Sequence, residues 1–209
     1  MPKQSRQSSS STKKSKPASQ PPVKPKNLDV RVREYLTPAE VKRLVKAAEK
    51  ASRHGFRDAL LVTMTYRHAF RVSEVIDLRW EQIDFRTGRM QVNRLNNGDA
   101  SVHYLEGDEL QALRQVKRDY PESDFVFASQ RQGPLSARSV HNIVAKAGEF
   151  AGIDCPVHPH MLRHAKGYQL ASRGEDIRAI QAYVGHKSIQ NTVLYAKNAP
   201  QKFKGFGRD

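Results

Sequence analysis

Between His160 and Tyr195 this 209-residue chain sets polar side chains where a helix would ordinarily place packing or solvent-facing residues. At about 100° per residue, His160, Arg163, His164 and Gly167 share one narrow arc of a helix, while Met161, Leu162, Ala165 and Tyr168 share another. One arc packs, and the other presents cations and hydrogen-bond donors. His186 and Tyr195 follow at the ends of the next two segments. An arginine and two histidines beside a tyrosine hydroxyl suit attack by an oxygen nucleophile on a phosphodiester. A guanidinium binds phosphate oxygens bidentately and stays charged at every relevant pH, and fixed cations stabilise the charge that gathers in the transition state. A tyrosine nucleophile would store the bond energy as a covalent phosphotyrosine, so that a strand could be rejoined without a nucleotide cofactor. Each residue alone is more often structural; the ordered set is hard to obtain by chance.

Short helices must position these groups. Gly174 stops the helix that carries His160, Arg163 and His164. Ile177, Ile180 and Val184 make the apolar stripe of the next helix, and Gly185 stops it, which leaves His186 exposed at a helix end. Ser188 caps a last short helix with Ile189 and Val193 facing inward, and that helix brings Tyr195 to Arg163 and His186. Upstream, Thr37-Pro38-Ala39-Glu40 reads as a capping box that opens a helix. Residues Phe56 to His68 form a helix apolar on all sides and hence buried. Arg71 to Leu78 starts another, with Arg71 and Glu74 one turn apart; a surface ion pair is the plain reading of those two. Alternation from Met90 to Arg94, the turn residues Asn96-Asn97-Gly98-Asp99 and the return from Val102 to Leu105 predict an antiparallel hairpin. Helices are predicted over Glu106 to Tyr120 and Ser136 to Ala151. The fold class is therefore mainly α with a small antiparallel β-sheet.

Composition narrows the partner. Lys and Arg outnumber Asp and Glu by 36 to 21, a formal net charge of +15, which favours a polyanion, with nucleic acid first. Residues 1–33 hold nine Lys and Arg against one acid, so this segment supplies +8 and the remaining residues +7. Rich in Ser, Pro and Lys, it reads as a disordered basic tail whose Lys13 and Lys14 contact phosphates, followed by a domain over residues 34–209. One cysteine, Cys155, excludes internal disulfides and CxxC sites. No apolar run reaches the length of a membrane span, and a cytoplasmic protein is expected. A metal site from His158, His160 and His164 is a weak alternative, since no Asp or Glu lies between Cys155 and Gly174 to complete or orient it.

With Arg71 added to the later residues, the chain resembles the tyrosine recombinases, the phage integrase family, over about residues 35–206. Arg71 in Ala69-Phe70-Arg71-Val72-Ser73-Glu74 matches the family's first catalytic arginine, and His160 and Arg163 its His-x-x-Arg pair. His186 matches the second histidine and Tyr195 the nucleophile. The run His160-Met161-Leu162-Arg163-His164-Ala165 is most similar to the fimbrial phase-variation invertases. The resemblance implies a catalytic DNA breaking-rejoining domain that needs no cofactor. Arg71 and Arg163 would clamp the scissile phosphate, His160 and His186 would add hydrogen bonds, and Glu74 and His164 would support them. Tyr195 would form a 3′-phosphotyrosyl bond and free a 5′-hydroxyl. The implied partners are double-stranded DNA, further copies of the chain in a tetramer on DNA, and DNA-bending accessory proteins, with a place in the bacterial nucleoid. Recombinases of the family pass their last segment to a neighbouring subunit, and the apolar Phe203 and Phe206 between Ala196 and Asp209 fit that exchange.

Two positions depart from the family pattern. Ala69 stands where a glycine is usual. The hairpin turn Arg94-Leu95-Asn96-Asn97-Gly98-Asp99 lacks the lysine that serves as general acid, and no lysine occurs between Lys50 and Lys117. Arg94 or a water would have to serve instead, with Arg94 also expected at the DNA; otherwise the chain is a DNA-binding protein with the recombinase fold and little cleavage.

Overall fold

A computed structural model describes residues 34–94 and 100–197. Lys13 and Lys14 of the basic segment, the turn residues Asn96 and Asn97, and Phe203 and Phe206 lie outside the described residues.

The described chain opens on α1 (Pro38–Ala51), where Thr37 and Glu40 complete the capping box in both directions and Pro38 takes the first turn. Its buried Val41, Leu44 and Ala48 pack on α2 (Gly55–Arg67). Gly55 is required at that junction, because a β-carbon there would sit 1.7 Å from the Glu49 carbonyl oxygen. Most of α2 is buried, as expected, although Phe56 is 42% exposed and Arg67 reaches the surface. The helix separates two cores: Leu60, Leu61 and Met64 face one with Phe70, Val75, Leu113 and Phe127, whereas Ala59 and Val62 face the other with Leu44, Val144, Met161 and Leu162.

A short α3 (Val72–Ile76) leads through a 3₁₀ turn (Trp80–Gln82) to a three-stranded antiparallel sheet in the order β1 (Ile83–Asp84), β2 (Arg89–Val92), β3 (Ser101–Tyr104). The register pairs Met90 with His103 and Val92 with Ser101, so Met90, Val92 and His103 share the buried face. Five helices follow: α4 (Gly107–Asp119), α5 (Ala137–Phe150), α6 (Pro159–Ser172), α7 (Ile177–Val184) and α8 (Ile189–Lys197). A third, small core of Ala69, Tyr168, Ala171, Ile180, Val184 and Tyr195 gathers α6, α7 and α8 around the end of α2. No helix among the described residues is long and apolar enough to cross a membrane.

Candidate active site

Glu74 is the hub. Its side chain is 1% exposed and holds Arg71 Nη1 at 2.6 Å, Arg94 Nη1 at 2.7 Å and the Arg71 backbone N–H at 2.9 Å, with Arg163 Nη1 at 3.8 Å. A surface ion pair between Arg71 and Glu74 is thereby overturned, since one buried carboxylate faces three guanidinium groups. The surplus cationic charge of this cluster suits an anion better than an empty apolar pocket.

Arg71 also donates from Nη2 to the Gly185 carbonyl at 2.8 Å. Gly185 caps α7 in the left-handed region at φ +72°, and a β-carbon on it would lie 2.8 Å from Arg94 Cδ and Nε. Glycine is needed there both for its backbone and for the space. Arg163, on α6, is 1% exposed and donates from Nη1 to the Ala69 carbonyl at 2.5 Å. Ala69 adopts φ +52°, which explains the family's usual glycine and marks a strained bend that aims this carbonyl into the site. Arg163 Nη2 is buried with no hydrogen-bond partner among the described residues. Burial and the neighbouring Arg71 pull the Arg163 guanidinium down to about 10, so it remains charged at neutral pH.

Tyr195 arrives from α8 and is also 1% exposed. Its hydroxyl shares a 2.9 Å hydrogen bond with His164 Nδ1, and its ring lies nearly parallel to that of His186, with centroids 5.7 Å apart. Gly167 permits this approach, because a β-carbon there would fall 2.3 Å from Tyr195 Cε2. Burial pushes the phenol up to about 12 against the opposing pull of Arg163, so the hydroxyl is protonated at neutral pH. His160 packs edge-on against His164, with centroids 4.3 Å apart. The arc of His160, Arg163, His164 and Gly167 thus forms one wall, as the helical spacing predicts.

Three expectations need correction. Arg94 is not placed to touch DNA or to protonate a leaving group: its side chain is 0% exposed and is bound to Glu74, the His68 carbonyl and the Tyr183 carbonyl. His186 is half-buried rather than exposed, with Nδ1 3.0 Å from Thr192 Oγ1. Ile189, expected inward, is 37% exposed; Thr192 and Tyr195 take the inner face of α8, because that face lines a polar site. Sequence reading missed His68, His103 and Glu109 altogether. Their spacing carries no helical or strand signal, and only the pairing of β2 with β3 brings His103 inward. Among the described residues no three His, Cys, Asp or Glu side chains gather to hold a metal ion.

Two histidines make stability depend on pH. Burial, then neighbouring His68 and Arg94, pull His103 down to about 3; burial, then Arg163 and Arg71, pull His186 down to about 4. Both are neutral in the fold and bind protons more readily once unfolded. Their contribution is therefore complete above pH 6.5 and is lost as pH falls from 6.5 towards 4. Each histidine should remove on the order of 2 kcal/mol between pH 7 and 5 by this linkage. Urea unfolding at the two pH values measures the drop; equal or greater stability at pH 5 would contradict it.

The sequence matches the phage integrase family over residues 34–202. It is 39% identical over 179 residues to the type 1 fimbriae regulatory protein FimE of Escherichia coli (strain K12), covering 83% of this chain and 90% of that one. The crystal structure of XerA recombinase superposes with a TM-score of 0.73 at 24% identity, covering 86% of this chain and 66% of the other. XerH site-specific recombinase bound to its difH substrate gives 0.72 at 17% identity, covering 85% and 55%.

Proposed function

The chain belongs to the phage integrase family, and from that premise we propose that it is a site-specific recombinase which cuts and rejoins double-stranded DNA through Tyr195. What carries the reading is the buried Arg163 Nη2, a charged donor without a partner among the described residues, in a cluster where one carboxylate faces three arginines. A phosphodiester supplies the missing acceptor. Arg71 and Arg163 bind its non-bridging oxygens, and His160 and His186 add hydrogen bonds. His186, neutral at pH 7, acts as a polar contact rather than as a cation. Tyr195 attacks phosphorus, the bond to the 5′-oxygen breaks, and a 3′-phosphotyrosyl link holds the strand until a 5′-hydroxyl reverses the step. No cofactor enters. Residues 34–209 make up the catalytic domain, and Lys13 and Lys14 of the basic segment 1–33 add sequence-independent phosphate contacts. Similarity to a fimbrial regulatory protein favours inversion of a DNA segment by a homotetramer, with accessory proteins that bend the DNA.

A second reading, a DNA-binding protein with the same fold and little cleavage, is favoured by one observation. The family's turn lysine is absent and the nearest basic residue, Arg94, is buried. A positioned general acid contributes roughly 10²–10⁴-fold. Incubation with genomic fragments and recovery of covalent adducts supplies the target site and the first test. On that site, cleavage of an ordinary phosphodiester should be slow, whereas a 5′-thiolate leaving group, which needs no proton, should be released at near-normal rate. Asn96→Lys should raise the ordinary rate alone. If neither substrate is cleaved even with that lysine, the recombinase reading gives way to the DNA-binding one.

A further inference from the structure

Behind the three arginines runs a line of buried polar groups that the chemistry above does not use. His68 Nε2 lies 3.1 Å from Glu109 Oε1, and His68 Nδ1 lies 3.1 Å from His103 Nδ1. His103 Nε2 meets Ser101 Oγ at 3.1 Å and Arg94 Nη2 at 3.5 Å, the outer limit of a hydrogen bond. Both histidines are 2% exposed, as is Glu109, which Arg67 Nη1 approaches to 3.4 Å from the other side.

With both imidazoles neutral, the protons on this line have one arrangement. A carboxylate only accepts, so His68 donates from Nε2 to Glu109. His68 then has a lone pair on Nδ1, and His103 donates to it from its own Nδ1. That leaves His103 Nε2 as an acceptor facing Ser101 and Arg94, which only donates. Burial, then His68 and Arg94, pull His103 down, which keeps its own ring neutral. Arg94 is held at its far end by His103, the His68 carbonyl and the Tyr183 carbonyl, and at its near end by Glu74 Oε2. The same Glu74 oxygen takes the Arg71 backbone N–H, and its partner oxygen takes Arg71 Nη1.

We propose that His103 and His68 are positioning residues for the phosphate clamp, a one-way hydrogen-bond chain that runs from Arg94 to Glu109 and fixes Arg71 through Glu74. The inference rests on the recombinase reading and deepens it. It ties strand β3, which borders the hairpin turn, to the arginine that grips the phosphate. Its reach is short: removing the acceptor on His103 takes one of three acceptors from the far end of Arg94 and so loosens the carboxylate that orients Arg71. A misplacement of about 1 Å at a reacting centre lowers rates by roughly 10²-fold.

His103→Phe keeps the ring against Tyr183, where the centroids are now 4.2 Å apart, and removes both nitrogens. Relative to wild type, DNA affinity should stay within about threefold, while the single-turnover rate of adduct formation per folded molecule falls roughly 10–100-fold. His103→Gln, which returns an acceptor towards Arg94, should recover most of that loss. Nitrogen-15 spectra of the wild-type imidazoles at pH 7 give a reading that needs no variant: the proton should sit on Nδ1 of His103 and on Nε2 of His68. The opposite tautomers, a doubly protonated ring, or equal rates for wild type and a folded His103→Phe overturn the proposal. So does a rate for His103→Gln no better than for His103→Phe. If wild type itself forms no adduct, the recombinase reading falls, and the clamp role falls with it.

Discussion

Tyr195→Phe folds, binds DNA as wild type does, and forms no covalent adduct. The substitution removes one oxygen and one hydrogen bond, that to His164, and leaves the ring against Gly167, Tyr168 and His186. Loss of one such bond in a partly buried place changes stability by about 1 kcal/mol. The arginine cluster keeps its charge, so binding persists, but the group that forms the phosphorus–oxygen bond is gone. A detergent-resistant band on a nicked duplex, read beside a mobility shift, separates the two effects. An adduct that survives, or one mapped to Tyr183, contradicts the assignment. Tyr183 is the natural control, because its hydroxyl donates to the Arg67 carbonyl instead.

Gly167→Ala reaches the same site from the other side of the contact. The added methyl would fall 2.3 Å from Tyr195 Cε2 and 2.5 Å from Cζ, closer than two carbons can approach, so either the ring or α6 must shift. Tyr195 is the more movable, since α6 is fixed in the second core by Met161, Leu162 and Ala165. Overpacking of this kind destabilises by about 1–3 kcal/mol, and displacement of the nucleophile should reduce adduct formation by roughly 10²-fold or more. DNA binding should be spared. Cleavage at the wild-type rate by Gly167→Ala would mean that Tyr195 attacks from a different position than the one it occupies here.

The two substitutions also show what was legible in the chain before any coordinates. Gly167 and the residues around it could be placed on one arc because helical spacing is a local property, and α6 obeys it. Residue type and spacing marked Tyr195 and Arg163 as candidates, and Arg71 joined them only through the family resemblance. Glu74 could be paired with Arg71 but not seen as a buried hub, because its other partners are 20 residues away at Arg94 and far along the chain at Arg163. Arg94 was misjudged for the same reason: an arginine beside a turn looks exposed until the chain folds Glu74, His68 and Tyr183 around it. The strain at Ala69 was invisible as well, since an alanine in sequence gives no sign of a left-handed backbone. Ile189 was misread because an apolar residue after a cap usually faces inward, and here the inner face belongs to chemistry.

The contacts that build the site are long in sequence: 94 residues separate Arg163 from the Ala69 carbonyl, and 114 separate Arg71 from that of Gly185. No short segment of the chain brings Arg71, Arg94 and Arg163 together alone. During synthesis Tyr195, the proposed nucleophile, emerges after the arginines and the hub. Contacts of this separation form late in folding, once loop closure has been offset by the cores. A half-made or partly unfolded copy therefore lacks the arginine cluster with its tyrosine, and the proposed site appears only together with the finished fold.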